Sequence, residues 1–176
     1  SSLLKNNQEH YNVLFKAGEI AKEQNVSCYL VGGYVRDKLL NRDITDITDI
    51  DIMVVGDSIK FAKALADSLN VKEIVEFEKF KTALIPYEKF EIEVASSRSE
   101  SYSSETRNPI VSEATFNEDM SRRDFTVNAI AASLDPENFG RLHDPYGGIK
   151  DLQKGLLITP LDPDSTFTDD PLRMLR

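Results

Sequence analysis

The sequence predicts a mixed α/β (α+β) domain. Three observations predict it. Apolar residues recur at helical spacing over Leu3–Gln24 and Ser58–Leu69. Apolar runs of strand length occupy Val26–Val31 and Ile50–Val55, and Lys89–Ala95 alternates strictly. The 176 residues are 40% hydrophobic and 29% charged, the balance of an ordinary globular domain. A chain of that length buries roughly two-thirds of the surface its unfolded form exposes. No window holds about 18 consecutive apolar residues, so no membrane-spanning helix is expected. The opening SSLLKNNQEH lacks a basic stretch followed by an apolar run, so no signal peptide is expected either. With Cys28 the single cysteine and His10 and His143 the only histidines, a disulfide framework is excluded and little remains for a zinc site. A reducing, cytoplasmic setting follows as the expectation. The formal net charge is −9. A protein that meets nucleic acid with its whole surface is usually basic, so any such contact here is expected to be local or carried by another part of the protein.

The elements follow in order. Leu3–Gln24 reads as an amphipathic helix with Leu4, Tyr11, Leu14, Phe15, Gly18 and Ala21 near one face. Val26–Val31 is a strand, Gly32-Gly33 breaks it, and Tyr34–Leu40 is a short helix. Ile50–Val55 is a second strand. Ser58–Leu69 is a helix with Asp57 as its expected N-cap. Lys81–Pro86 and Lys89–Ala95 are strands, the second with Phe90, Ile92 and Val94 on one face and Glu91 and Glu93 on the other. Positions 96–118, rich in Ser, Glu and Arg, read as a long loop. Apolar periodicity returns over Asp119–Ala132, and HDPYGG at 143–148 is a turn cluster. Asp170-Pro171 opens a further helix. The chain stops at Arg176 in mid-pattern, and the expectation is that this helix is cut and the chain is part of a longer enzyme.

Two features carry chemistry. Asp49-Ile50-Asp51 places two carboxylates on one face of a strand, roughly 6–7 Å apart. Carboxylates held so close repel, and a divalent cation relieves that. Mg²⁺ takes one or two carboxylates plus substrate phosphates and water, and a third carboxylate from a neighbouring strand would complete a two-metal site for in-line nucleotidyl transfer. Asp46, in the repeated DIT stretch, does not lead directly into the apolar strand, and the EF-hand spacing is absent. The second feature is Gly32-Gly33 between strand and helix, where backbone can approach an anion closely, with Arg36 one turn further on to meet phosphate oxygens. Each has a bland alternative: a solvated acidic loop for the aspartates, a simple tight turn with Arg36 paired to Asp37 for the glycines. Arg122-Arg123-Asp124 adds a basic pair, whose alternative is neutralising Glu118 and Asp119.

In order, VGGYVRDKLL, TDIDIMVVG, EDMSRRDFTVNAIA, DPYGGIKDL and DDPLRMLR resemble the tRNA nucleotidyltransferase/poly(A) polymerase family, most nearly its bacterial-type (class II) CCA-adding enzymes. The likeness runs from about Tyr29 to Arg176. It implies the nucleotidyltransferase fold of the DNA polymerase beta superfamily, a mixed, mainly antiparallel sheet flanked by helices. On that basis residues 1–25 are an N-terminal helix, 26–160 the head domain, and 161–176 the start of a helical neck. Two departures stand out. About three extra residues, one copy of DIT, separate the first motif from the aspartates, with Asn41 where the family has Gly; and Asp169 stands where Glu is usual.

The resemblance also implies roles. Asp49 and Asp51 match the metal-binding aspartates, with Mg²⁺ the implied cofactor. Gly33 and Arg36 match contacts to the nucleotide phosphates, Arg123 matches another nucleotide contact, and Gly32 joins them as nucleotide-binding. Glu93 is the preferred third carboxylate, with Glu91 its rival. Asp170 and Arg173 match the pair that reads the base edge, and Arg176 a further arginine of that helix. Spaced i and i+3, Asp170 and Arg173 share a helical face. A carboxylate accepts from an exocyclic amine and an arginine donates to the adjacent ring acceptor, an order offered by C and A and reversed in G and U. The implied partners are CTP, ATP and the 3′ end of tRNA, with no membrane. The motifs are shared by CCA-adding, CC-only and A-only enzymes and poly(A) polymerases. A non-catalytic nucleotide-binding module that kept the fold is the alternative from another class.

Overall fold

The computed structural model describes residues 8–39, 49–97 and 130–155. Residues 161–176, Asp170, Arg173 and Arg176 among them, lie outside these, as do Arg123, the DIT segment and most of the expected 96–118 loop. In chain order the described elements are α1 (Gln8–Glu23), β1 (Ser27–Val31), α2 (Gly33–Leu39), β2 (Asp49–Val55), α3 (Ser58–Ser68), β3 (Val75–Phe77), a 3₁₀ turn (Glu78–Phe80), β4 (Thr82–Tyr87), β5 (Phe90–Ser96), β6 (Ala131–Ser133), β7 (Leu142–His143) and α4 (Gly148–Lys154).

The strands form one sheet in the order β3-β4-β5-β2-β1-β6-β7. All its pairings are antiparallel except β2 with β5. The expectation of a mixed, mainly antiparallel sheet is met. The parallel pair follows from connectivity: β2 feeds α3, and the β3–β4 excursion returns the chain to run beside β2 in the same direction.

The period of two along each strand sorts the residues by face. Leu30, Ile50, Ile52, Ile85, Ile92 and Val94 turn to one side and are fully buried with Leu14, Phe61 and Leu65. These last come from α1 and α3, so the helices cover this side. Fully burying one such side chain stabilises by about 1.5–3 kcal/mol, and this cluster is the main core. Asp57 caps α3 as expected, its Oδ1 accepting from the backbone N–H of Ile59 and Lys60, both at 3.1 Å. The alternation of β5 is also as expected, with Phe90, Ile92 and Val94 buried and Glu91 and Glu93 exposed.

The buried face of α1 is rotated from its expected position. Val13, Ala17 and Ile20 join Leu14 and Ala21 in the core, whereas Phe15 is exposed and stacks on Tyr11 at the flank, both against Phe139. The aromatic bulk drew the expected face towards Tyr11 and Phe15. Small Ala17 and Gly18 are what allow the helix close approach.

Serines lock the carboxyl ends of the parallel pair. Ser96 Oγ donates to Gly56 O (2.8 Å) and accepts from Ser58 N–H (3.1 Å). Ser58 Oγ donates to Lys81 O (2.6 Å), and Ser97 N–H to Val54 O (2.9 Å). Together these bonds tie the start of α3 to the ends of β2 and β5 and fix their register.

Candidate active site

The other face of the sheet carries the paired carboxylates. The register sets residues side by side in rows across the strands. One row reads Val75–Leu84–Glu93–Asp51–Val31, with Ala131, which clusters with Val31, and its partner His143 beyond. The next reads Phe77–Thr82–Ala95–Met53–Tyr29–Ser133. A third, shorter row sets Pro86 beside Glu91 and Glu91 beside Asp49. Four carboxylates therefore occupy a two-by-two block on adjacent parallel strands about 4.8 Å apart. Asp51 is half-buried, whereas Asp49, Glu91 and Glu93 are exposed.

Glu93 faces Asp51, and Glu91 faces Asp49 at the outer end. Among the described residues, no three His, Cys, Asp or Glu side chains converge into a ready-made metal cage. A hard cation does not require one. Mg²⁺ is satisfied by one or two carboxylates and completes its octahedron with water and substrate phosphate. The donor set is all carboxylate oxygen, the chemistry such an ion selects, and the residues present fit it.

The glycine turn lies against this block. Gly32 has φ +78°, a conformation that favours glycine. A methyl group there would lie 3.1 Å from Asp51 Oδ2. The missing side chain thus lets the aspartate carboxylate nest against the turn. At Gly33 the nearest group to such a methyl is the Arg36 guanidinium, Nη2 at 3.2 Å. Arg36 folds back along its own helix towards the turn, and its Nε also pairs with Asp37 Oδ1 at 3.2 Å. The bland alternative for Arg36 is therefore present together with its placement at the glycine pair.

Helix α2, which carries Arg36, is anchored from below. Tyr34 is buried and its hydroxyl shares a 3.2 Å hydrogen bond with His10 Nδ1. His10, itself buried, sits edge-on between the rings of Tyr34 and Phe90. Burial pushes the Tyr34 hydroxyl up to about 12. A buried aromatic column thus connects α1, the helix after the glycine turn and the start of the Glu91–Glu93 strand.

Sequence reasoning missed the apolar flank of the carboxylates. Val31, Met53 and Ala131 form a second buried cluster on this face, with Tyr29 and Tyr146 packed against it and Tyr29 meeting the His143 ring edge-on. The Asp144 carboxylate, in the HDPYGG turn, accepts from Gly148 N–H (2.6 Å) and Ile149 N–H (3.0 Å) and so starts α4 beside Tyr146. Alternation along β1 and β2 was the available signal for this cluster.

Among the described residues, a mainly antiparallel sheet with helices on one side and paired carboxylates beside a glycine turn on the other is a fold of the nucleotidyltransferase type. The family model of the poly A polymerase head domain matches residues 28–158, and the chain belongs to that family. An A-adding tRNA nucleotidyltransferase of Halalkalibacterium halodurans is 36% identical over 169 residues, which are 96% of this chain and 38% of that protein. A CCA-adding enzyme solved in complex with ATP superposes with a TM-score of 0.85 at 35% identity, over 100% of this chain and 39% of its own. The Thermotoga maritima CCA-adding enzyme complexed with tRNA superposes with a TM-score of 0.83 at 34% identity, over 99% of this chain and 38% of its own. The chain spans about two-fifths of the length of each. Among the described residues no helix is long and apolar enough to cross a membrane.

Proposed function

We propose that this chain is the catalytic head of a template-independent RNA nucleotidyltransferase that adds C, A or both from CTP and ATP to the 3′ end of tRNA, in a cytoplasmic setting. The observation that carries the reading is Asp51, set beside Glu93 by the parallel β2–β5 register and nested against Gly32. Relatives named for A addition and CCA addition support the substrate class. In the reaction the RNA 3′-hydroxyl oxygen bonds to the α-phosphorus. The bond from that phosphorus to the bridging oxygen of the β-phosphate breaks, and pyrophosphate leaves with the electron pair. The hydroxyl proton is released to water on the open face.

In this proposal Asp49, Asp51 and Glu93 hold Mg²⁺, which when bound neutralises phosphate charge and acidifies the attacking hydroxyl. The N–H groups of the Gly32-Gly33 turn and the guanidinium groups of Arg36 and Arg123 offset the triphosphate charge. Asp170 and Arg173 read the base edge, with Arg176 supporting the same helix.

The test is primer extension by the full-length protein on tRNAs ending before CCA, after C and after CC, supplied with CTP or ATP. Asp49→Ala and Asp51→Ala should each lower transfer by at least a thousand-fold while the thermal melt stays cooperative. Undiminished transfer by either variant removes the carboxylate assignment. The pattern of primers extended assigns CCA, CC-only, A-only or poly(A) activity. Nucleotide binding without transfer to any primer would favour the non-catalytic module.

A further inference from the structure

The four most exposed large apolar side chains among the described residues are Phe15, Val75, Phe77 and Phe80. Three of them fall within six consecutive positions, at exposures of 50%, 42% and 71%. Val75 and Phe77 lie on β3, the edge of the sheet, and the 3₁₀ turn that follows presents Phe80. Their face is settled by the register. Val75 aligns with Leu84 and, through it, with Glu93 and Asp51; Phe77 aligns with Thr82. Glu76, between them, turns the other way and pairs with Lys63 of α3 at 3.2 Å. The exposed apolar shelf therefore continues the carboxylate face, three strands and roughly 14 Å from Asp51 at the usual strand spacing.

Direction across the sheet adds a constraint. The Gly32-Gly33 turn and Arg36 stand on the β1 side of Asp51, and Glu93 on the β5 side. A triphosphate cradled at the turn has its leaving group on the β1 side. In-line displacement then brings the attacking hydroxyl from the opposite side, over β5, β4 and β3. A strand that delivers it along the sheet from that side crosses the shelf.

We propose that Val75, Phe77 and Phe80, with Lys79 and Lys81, form the docking shelf for the unpaired 3′ strand of the RNA being extended. The inference rests on the reading of this chain as an RNA nucleotidyltransferase head. The chemistry matches a single strand of RNA. Aromatic faces accept bases by stacking whatever their sequence, and ammonium groups beside them meet the phosphates. Lys79 Nζ stands 5.9 Å from the centroid of the Phe80 ring, so cation and ring are already grouped. Glu78 precedes Lys79, so residues 77–81 carry two lysines against one carboxylate, an excess of one positive charge. The span from Asp51 equals about four stacked nucleotides at about 3.4 Å each. In a chain of net charge −9, this is the kind of local contact that nucleic acid requires.

The test uses the full-length protein and a tRNA ending before CCA, with Phe77→Ser/Phe80→Ser and Lys79→Glu/Lys81→Glu variants. Fluorescence anisotropy gives the Kd for RNA and steady-state transfer gives KM for tRNA and for CTP. The expected result is a 5- to 100-fold rise in Kd and KM for tRNA in the aromatic variant, with KM for CTP unchanged. The lysine variant should show the same direction and a shallower salt dependence of RNA affinity. Unchanged KM for tRNA in both variants, with wild-type transfer intact, overturns the shelf and leaves the functional reading standing. RNA binding by the wild type that the variants lose, without transfer, supports the shelf and removes the reading. Failure of the wild type to bind RNA overturns both. Sedimentation gives the remaining outcome: a wild-type dimer that the aromatic variant breaks, with RNA affinity unchanged, assigns the edge to a second copy and overturns the proposal.

Discussion

A methyl group at position 32 would meet the Asp51 carboxylate before it met anything else. Gly32→Ala therefore carries two costs. The left-handed backbone costs about 1–2 kcal/mol with a side chain present, and the aspartate must move off the turn. The first is a stability effect; at this chain length about 1 kcal/mol shifts the melting temperature by roughly 2–4 °C. The second falls on the site. Gly32→Ala should lower kcat/KM for transfer by at least ten-fold while lowering the Tm by only a few degrees, with primer extension and a thermal melt run on the same sample. Wild-type kcat/KM would show that the close approach has no bearing on the reaction. At Gly33 the nearest group to such a methyl is the flexible end of Arg36 instead, so Gly33→Ala should disturb the phosphate contact and leave Asp51 where it is. The glycine pair was legible in the sequence as a break between strand and helix. That the first glycine serves the aspartate was not, because it depends on a pairing of β1 with β2 that no local pattern encodes. The Arg36–Asp37 contact was legible as an alternative because the two residues are adjacent.

At the scale of elements, the closest backbone approach at a described glycine joins α1 to the end of β6. A methyl group on Gly18 would overlap the Leu134 carbonyl, and that backbone is held by the Leu134 N–H bond to Cys28 O at 3.1 Å. Neither side can give cheaply. Gly18→Ala should destabilise the fold by about 1–3 kcal/mol or more despite alanine's better helix propensity, read as a lower urea midpoint with unchanged slope. An unchanged midpoint would mean that α1 slides freely on the sheet. Elements long enough to show a period were legible: β5 by its alternation, α3 by its apolar spacing and its Asp57 cap. β3 and β6 are three residues long and β7 two, too short for any period to emerge. The apolar face of α1 was misjudged for a related reason. Large aromatics weigh heavily in a sequence pattern, but packing there selects small residues.

For the whole molecule, the order of motifs was legible and their juxtaposition was not. The sequence separates the glycine turn, the aspartates and the glutamates, and only the sheet order β5-β2-β1 brings them side by side. This has a consequence for how the protein comes into being. The β4–β5 hairpin and helix α3 rest on local contacts, whereas the parallel β2–β5 pair must close the long loop between its strands, the slower kind of step. Until it closes, Glu93 has no Asp51 beside it. Competence to bind a metal–nucleotide should therefore be acquired all at once, late in refolding, with no partly competent intermediate. In a stopped-flow refolding experiment with a fluorescent CTP analogue and Mg²⁺, binding should develop with the slowest phase of tyrosine burial. Binding in the dead time, ahead of that phase, would mean that the glycine turn and the aspartates suffice by themselves. A nascent chain would then be able to capture nucleotide before its sheet was complete.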